Sequence, residues 1–248
     1  MSLTFTGKTT LTGKTTQSPS ATDPLISNVT SIVKFQSYPG NTTFQDSITD
    51  AVWTGQDQAE ISDVESKFGG RSGVTTGTAT DEWTTPYVSG PYNLADSDFC
   101  VEGWIFPQTS GSTGHLIGQW QTAANFGWNI SYNDVSQTYV VEWSTDGNFS
   151  APRSITGTSS LINRDEWTHL AWVRNGATGT MYVNGVADST TITFSTDVIF
   201  NSTSDPHLAG SSGQGDYFLG YMDDWRVTIG DPRYITNFTP PTQSFPVR

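Results

Sequence analysis

Cysteine, cationic side chains and long apolar runs are what this chain has least of. Cys100 is the single cysteine, so an internal disulfide scaffold is excluded. Lys and Arg number 11 against 24 Asp and Glu, a formal net charge of −13. Nucleic-acid phosphates are met by Lys and Arg, so no nucleic-acid partner is expected. The acidic surplus favours solubility and limits self-association, and leaves homo-oligomer assembly open. Charged residues make up only 14% of the chain, whereas long helices draw on Glu, Lys and Arg for their surfaces. No apolar run approaches the roughly 18 residues of a membrane-spanning helix, so membrane insertion is not expected. The N-terminal stretch lacks the apolar segment of a secretory leader, so export by that route is not expected. The Asn-x-Ser/Thr sequons at Asn28, Asn41, Asn129, Asn148, Asn201 and Asn237 are then read as products of a Ser/Thr-rich composition.

What the chain does have is Ser, Thr and Gly in abundance, with aromatics at 12%. These types describe strands joined by many turns, and 248 residues suit one large β domain. The string DFCVEGWIFP (98–107) places Phe99, Val101, Gly103 and Ile105 on one face and Cys100, Glu102, Trp104 and Phe106 on the other. Residues 139–143 form a short β-rich run closed by an Asp146-Gly147 turn. Over 167–173, Trp167, His169, Ala171 and Val173 alternate with Thr168, Leu170 and Trp172. Asn184-Gly185 predicts a two-residue type I′ hairpin. Residues 217–229 read as a long final strand, with Tyr217, Leu219, Tyr221, Asp223, Trp225, Val227 and Ile229 in one register. Apolar content on both sides of several strands predicts that both faces are partly covered. The expected architecture is an all-β sandwich or jelly roll with no helix beyond a turn or two.

Residues 1–28 differ from residues 29–248. They carry Lys8 and Lys14 against Asp23, and the string TGKTT occurs twice, six residues apart. In an extended arm an even period turns equivalent residues the same way. Leu3, Phe5 and Leu11 are its large apolar groups before Pro19, too few for a core of its own. Its Gly-Lys-Thr is not a phosphate loop. That motif needs a glycine five residues earlier, where Lys8 stands, and no apolar strand precedes it.

Several strings carry a family resemblance. DEWTHLAWVRNGATGTMYVNGV (165–186) resembles the central hairpin of laminin-G-like domains of the concanavalin A-like superfamily, through Trp167, His169, Tyr182, Asn184 and Gly185. DFCVEGWIFP resembles an early strand of that family, SKFGGR (66–71) a segment following its first sheet, and YFLGYMDDWR (217–226) its closing strand. DPRYITNFTPPTQSFP (231–246) resembles the ending of laminin-G-like modules in bacteriophage structural proteins, matched by Arg233, Tyr234, Asn237, Phe238, Pro240 and Pro241. Its double proline enforces an extended run, which Phe238 and Phe245 can anchor on the sandwich. The resemblance implies a concanavalin A-like (laminin-G-like) jelly-roll β-sandwich over 29–248, preceded by an extended N-terminal arm.

Candidate chemistry is sparse. The superfamily includes glycoside hydrolases with two carboxylates on one strand face. Here EISDVE (60–65) puts Glu60 and Glu65 at an odd spacing, so a regular strand turns them apart. No histidine pair has metal-ligand spacing, His169 reads as a hydrogen-bonded strand residue, and Cys100 reads as a small buried one. The resemblance makes calcium a candidate cofactor, with Asp223 or Asp224 as the acidic ligand, Asp223 the one that Asp46 would approach if the first and last strands pair, against the alternative of two ordinary structural acids. Trp120, Trp128 and Trp143 are candidates for a sugar platform, in competition with the core's need for aromatics.

The function expected on these grounds is non-enzymatic. It is that of a virion surface structural protein: a capsid decoration, head fibre or tail appendage. The arm, through Leu3, Phe5, Lys8, Leu11 and Lys14, would attach it to a capsid or tail protein by strand addition, leaving the sandwich to meet a host-surface glycan. The rival reading is a carbohydrate-binding module of an extracellular protein.

Overall fold

The computed structural model describes residues 23–247 apart from 79, 121–123, 150–151, 159–161 and 212–214. These residues form one 3-10 turn, Ile26–Asn28, and seventeen strands. In chain order the strands are β1 (Val29–Val33), β2 (Thr43–Gln45), β3 (Val52–Gly55), β4 (Glu60–Ser62), β5 (Ser72–Thr76), β6 (Trp83–Thr84), β7 (Phe99–Pro107), β8 (Thr113–Trp120) and β9 (Phe126–Asn133). There follow β10 (Thr138–Trp143), β11 (Arg153–Thr156), β12 (Thr168–Asn175), β13 (Thr178–Val183), β14 (Val186–Ala187), β15 (Ile192–Thr193), β16 (His207–Leu208) and β17 (Leu219–Ile229). The first sheet has the order β14-β13-β12-β7-β17-β5-β4, with β1 added on β17 and β15 on β13. The second has the order β11-β10-β9-β8-β16-β6-β3-β2. All ladders are antiparallel, and together they make the expected all-β jelly-roll sandwich.

Period-two alternation builds the core. Phe99, Val101 and Ile105 of β7 and Leu170 and Trp172 of β12 point inward. Trp172 meets Trp128 and Trp143 of the second sheet, at ring centroid distances of 6.2 and 6.1 Å. Gly103 leaves the space in which the Trp225 indole lies, and a Cβ there would strike that ring. At the predicted hairpin, Asn184 and Gly185 have φ of 49° and 76°, both positive as a type I′ turn demands. The Asn184 carboxamide oxygen accepts from the His169 amide at 3.0 Å, tying the turn to β12.

The single register expected for the last strand is broken. Asp223 pairs with Trp104 but Arg226 pairs with Glu102, so one residue is extra on β17. Asp224, at φ 43°, occupies this bulge. Met222, Trp225 and Val227 therefore enter the core. Tyr221 and Asp223 lie across from Phe106 and Trp104 on the outer side, apart from Trp225 rather than beside it.

The outer face of the first sheet is covered by the chain's own C-terminal run. Tyr234 and Phe238, stacked at 3.5 Å, pack over Cys100, Ala171, Val173 and Tyr182. Phe245 joins Val29 and Ile32. Beneath lies an ionic network. Glu102, fully buried, accepts from Arg226 Nη2 and Nε at 2.6 and 2.9 Å and from the Tyr234 hydroxyl at 2.9 Å, and His169 Nε2 lies 3.2 Å from it. Burial alone would raise the Glu102 carboxyl, but Arg226, His169 and Arg233 outweigh it and hold it at about 2. Asp23 bridges Arg226 and Arg233 at 2.9 and 2.7 Å, so residues 23–28 pack on the body of the sandwich.

Candidate functional site

Among the described residues, the outer face of the second sheet is open over β10 and β11, where Ser154 and Thr156 are exposed and Val140 and Glu142 half-buried, whereas His115, Asn129 and Ser131 on β8 and β9 are buried. Alternation turns Ile130, Tyr132, Tyr139 and Val141 into the core. Their neighbours then form two rungs facing outward. One runs His115, Ser131, Val140, Thr156; the other runs Gly118, Asn129, Glu142, Ser154. A register shift between His115 and Ile117 lets β8 send both Leu116 and Ile117 inward while His115 and Gly118 stay outward. A Cβ on Gly118 would press on the Trp128 carbonyl and Asn129, so glycine keeps this floor flat.

Above the rungs lies a groove of about 370 Å³. Trp120 stands at one end between Phe126 and Phe149, with centroid distances of 4.6 and 4.4 Å. The His115 ring is 5.0 Å from Trp120, and its Nε2 lies 3.6 Å from the Asp216 carboxylate. The charged carboxylates of the lining are Glu142 and Asp216, and no Lys or Arg belongs to it. Trp120 Nε1 and His115 Nδ1 are buried without a protein partner, and so is Asn129 Oδ1. The indole nitrogens of Trp53, Trp83, Trp104, Trp167, Trp172 and Trp225 are in the same condition away from the groove, so these atoms do not by themselves mark a ligand site. Behind His115, His207 is held neutral, its pKa brought to about 3 by burial and then by His115. Aromatic rings, hydroxyls and carboxylate acceptors around an open trough suit a polyhydroxylated ligand.

The residues singled out from sequence fall in different places. Trp120 lines the groove, whereas Trp128 and Trp143 are core, their indole nitrogens donating to the Tyr92 carbonyl and Asp197. The first and last strands do pair, yet Asp46 and Asp223 share no partner. Asp46 caps its own turn by accepting from the Ile48 and Thr49 amides and bonds Ser31. Asp223 accepts from the Lys67, Phe68 and Asp224 amides. Burial, and then the Asp224 charge, raise its pKa to about 7. A calcium ion wants six to eight oxygens. The two carboxylates instead face separate N–H donor sets, and among the described residues no three His, Cys, Asp or Glu side chains are placed to hold a metal. Glu60 belongs to β4 at the edge of the first sheet, outside the groove. His169 and Cys100 are buried strand residues of the network, as their pattern suggested. Leu3, Phe5, Lys8, Leu11 and Lys14 lie outside the described residues.

Glu142, Phe149 and Asp216 were not singled out from sequence. Alternation in 139–143 does turn Glu142 away from Tyr139, Val141 and Trp143, and that signal was available. Phe149 and Asp216 come from connections, where no periodicity exists to read.

A family model, Laminin_G_3 of the concanavalin A-like lectin/glucanases superfamily, matches residues 68–228. No curated protein sequence matches the chain. Among solved structures, the binding domain of Paraclostridial Mosquitocidal Protein 1 is similar with a TM-score of 0.64 at 16% identity, over 82% of this chain and 49% of that one. Domain 4 of AbnA, a GH43 extracellular arabinanase from Geobacillus stearothermophilus in complex with arabinotriose, is similar with a TM-score of 0.57 at 17% identity, over 83% of this chain and 95% of that one. The binding domain of botulinum neurotoxin serotype G gives 0.60 at 13% identity, over 86% and 49%. This chain thus spans about half the length of the two toxin binding domains and nearly all of the arabinanase domain. At these identities the likeness is one of fold.

Proposed function

The chain belongs to the Laminin_G_3 family of the concanavalin A-like lectin/glucanases superfamily, and from that premise we propose that it is a non-enzymatic, lectin-like module that binds an oligosaccharide in the groove of its second sheet. The observation that carries the reading is the open trough itself, where the part-exposed Phe149 ring, the Ser154 and Thr156 hydroxyls and the Glu142 and Asp216 carboxylates converge. A domain of nearly equal extent, in the arabinanase, takes arabinotriose, which supports the class of ligand. The position of Glu60 and Glu65 outside this groove favours binding over hydrolysis. The test is a glycan array probed with the full chain and with Phe149→Ala. Binding by the first that falls at least tenfold in the second is expected; binding that the substitution leaves unchanged overturns the assignment.

A finer reading concerns where the module works. We propose display on a virion surface, as a decoration, head fibre or tail appendage bound to a capsid or tail protein. The phage-like ending supports it: Tyr234, Phe238 and Phe245 of that motif are the residues that seal the first sheet. Attachment is assigned to Leu3, Phe5, Lys8, Leu11 and Lys14. Because Asp23 is part of the ionic network, the informative truncation removes residues 1–22 and keeps Asp23. That chain is expected to remain folded and to lose binding to particles stripped of the native protein. Undiminished binding would place attachment in the sandwich.

A further inference from the structure

We propose that the groove selects its glycan by charge: it takes amino-bearing and neutral oligosaccharides and rejects acidic ones bearing carboxylate or sulfate. This rests on the glycan-binding reading of the same groove. Glu142 stands at the centre of its rung, between the neutral Asn129 and Ser154, and forms no ion pair among the described residues. Asp216 supplies the second carboxylate beyond β8, with His115 beside it. Glu142 on β10 and His115 on β8 are two strands apart, about 10 Å at ordinary strand spacing. A ligand crossing the sheet between them therefore meets acid at both ends.

Among the described residues of the lining, an anionic sugar has no guanidinium or ammonium to meet. The nearest arginine by sequence, Arg153 on β11, pairs with Asp197, and Arg164 is held by Asp134. Arg226 and Arg233 are sealed beneath the C-terminal run on the other sheet. A carboxylate or sulfate brought to about 6 Å from Glu142, at an effective dielectric of about 40, is disfavoured on the order of tenfold, and more in a drier setting. An ammonium in the same place gains by a similar factor. Neutral hydroxyls lose nothing. They can donate to Glu142 and Asp216, both of which line the groove. Rejection of the wrong charge is thus built in by what the groove omits as much as by what it holds.

The experiment measures the affinity of the full chain at low and at high salt for a matched set: glucosamine, N-acetylglucosamine and arabinose oligomers against galacturonate oligomers and sialylated oligosaccharides. Acidic members are expected to bind at least tenfold more weakly than neutral ones at low salt. High salt should narrow that gap, since screening shortens the reach of Glu142, and Glu142→Gln should narrow it at low salt. Acidic glycans binding as tightly as neutral ones would overturn the charge rule while leaving a glycan-binding groove. A gap that neither salt nor Glu142→Gln changes would overturn it too. Failure of every saccharide to bind would instead remove the glycan-binding reading, and the charge rule with it.

Discussion

The two sheets of this sandwich treat their outer faces in opposite ways. The first buries a carboxylate, two arginines and a histidine under the chain's own C-terminal run, and every charge there has a partner. The second leaves the Glu142 and Asp216 carboxylates, the Ser154 and Thr156 hydroxyls and the Phe149 ring at an open groove. The displaced titrations at Glu102, near 2, and Asp223, near 7, belong to the closed face, and that of His207, near 3, lies behind the groove where burial is its main cause. Perturbed titration often marks a functional site. Here it marks structural burial, and the accessible carboxylates and hydroxyls of the open face are the better guide to a ligand.

The comparison breaks first at Glu102. Glu102→Ala leaves Arg226 buried with part of its charge uncompensated, so destabilisation of about 3–5 kcal/mol is expected in urea unfolding, with the C-terminal run losing protection in hydrogen exchange. A change below about 1 kcal/mol would mean that the network does not hold the cover down. Next is Gly185→Val. The valine would sit at φ 76°, with its Cβ against the Phe238 carbonyl. About 1–3 kcal/mol of destabilisation is expected, and the Phe238 amide, bonded to the Gly185 carbonyl at 2.9 Å, should exchange faster.

A third test uses pH. The folded pKa of Asp223, about 7, lies above its ordinary value of 3.8, so the folded state holds the proton more tightly. Its contribution to stability is therefore full below about pH 4 and is lost as pH rises towards 7. Asp223→Asn should flatten that fall, an effect on the order of a few kcal/mol. Glu102 runs the other way, its contribution present above pH 4.5 and lost as pH falls towards 2. Parallel stability curves for the Asp223 variant and the parent would remove Asp223 from the account. The smallest effect on folding is expected on the open face. Phe149 is only partly buried, and Phe149→Ala should shift stability by about 1 kcal/mol or less. A larger loss would show the groove wall to be part of the core.

Local chemistry in the sequence was enough to determine much of this protein. Which residues of β7 and β12 face inward follows from alternation, because a strand turns successive side chains to opposite sides whatever lies beyond it. The hairpin at Asn184-Gly185 follows from the two residue types that tolerate positive φ there. Phe238 and Phe245 could be read as anchors because prolines between them forbid further pairing. What only the tertiary structure decided depends on contacts between distant segments. The bulge at Asp224 changes which acids face outward, and it exists because β17 must pair with β7 around the Trp225 indole and the side-chain-free Gly103. Trp128 and Trp143 became core, and Trp120 groove wall, according to which strands lay opposite them. Phe149 and Asp216 reach the groove from connections, whose course is set by the closing of the sheet and not by any repeat along the chain.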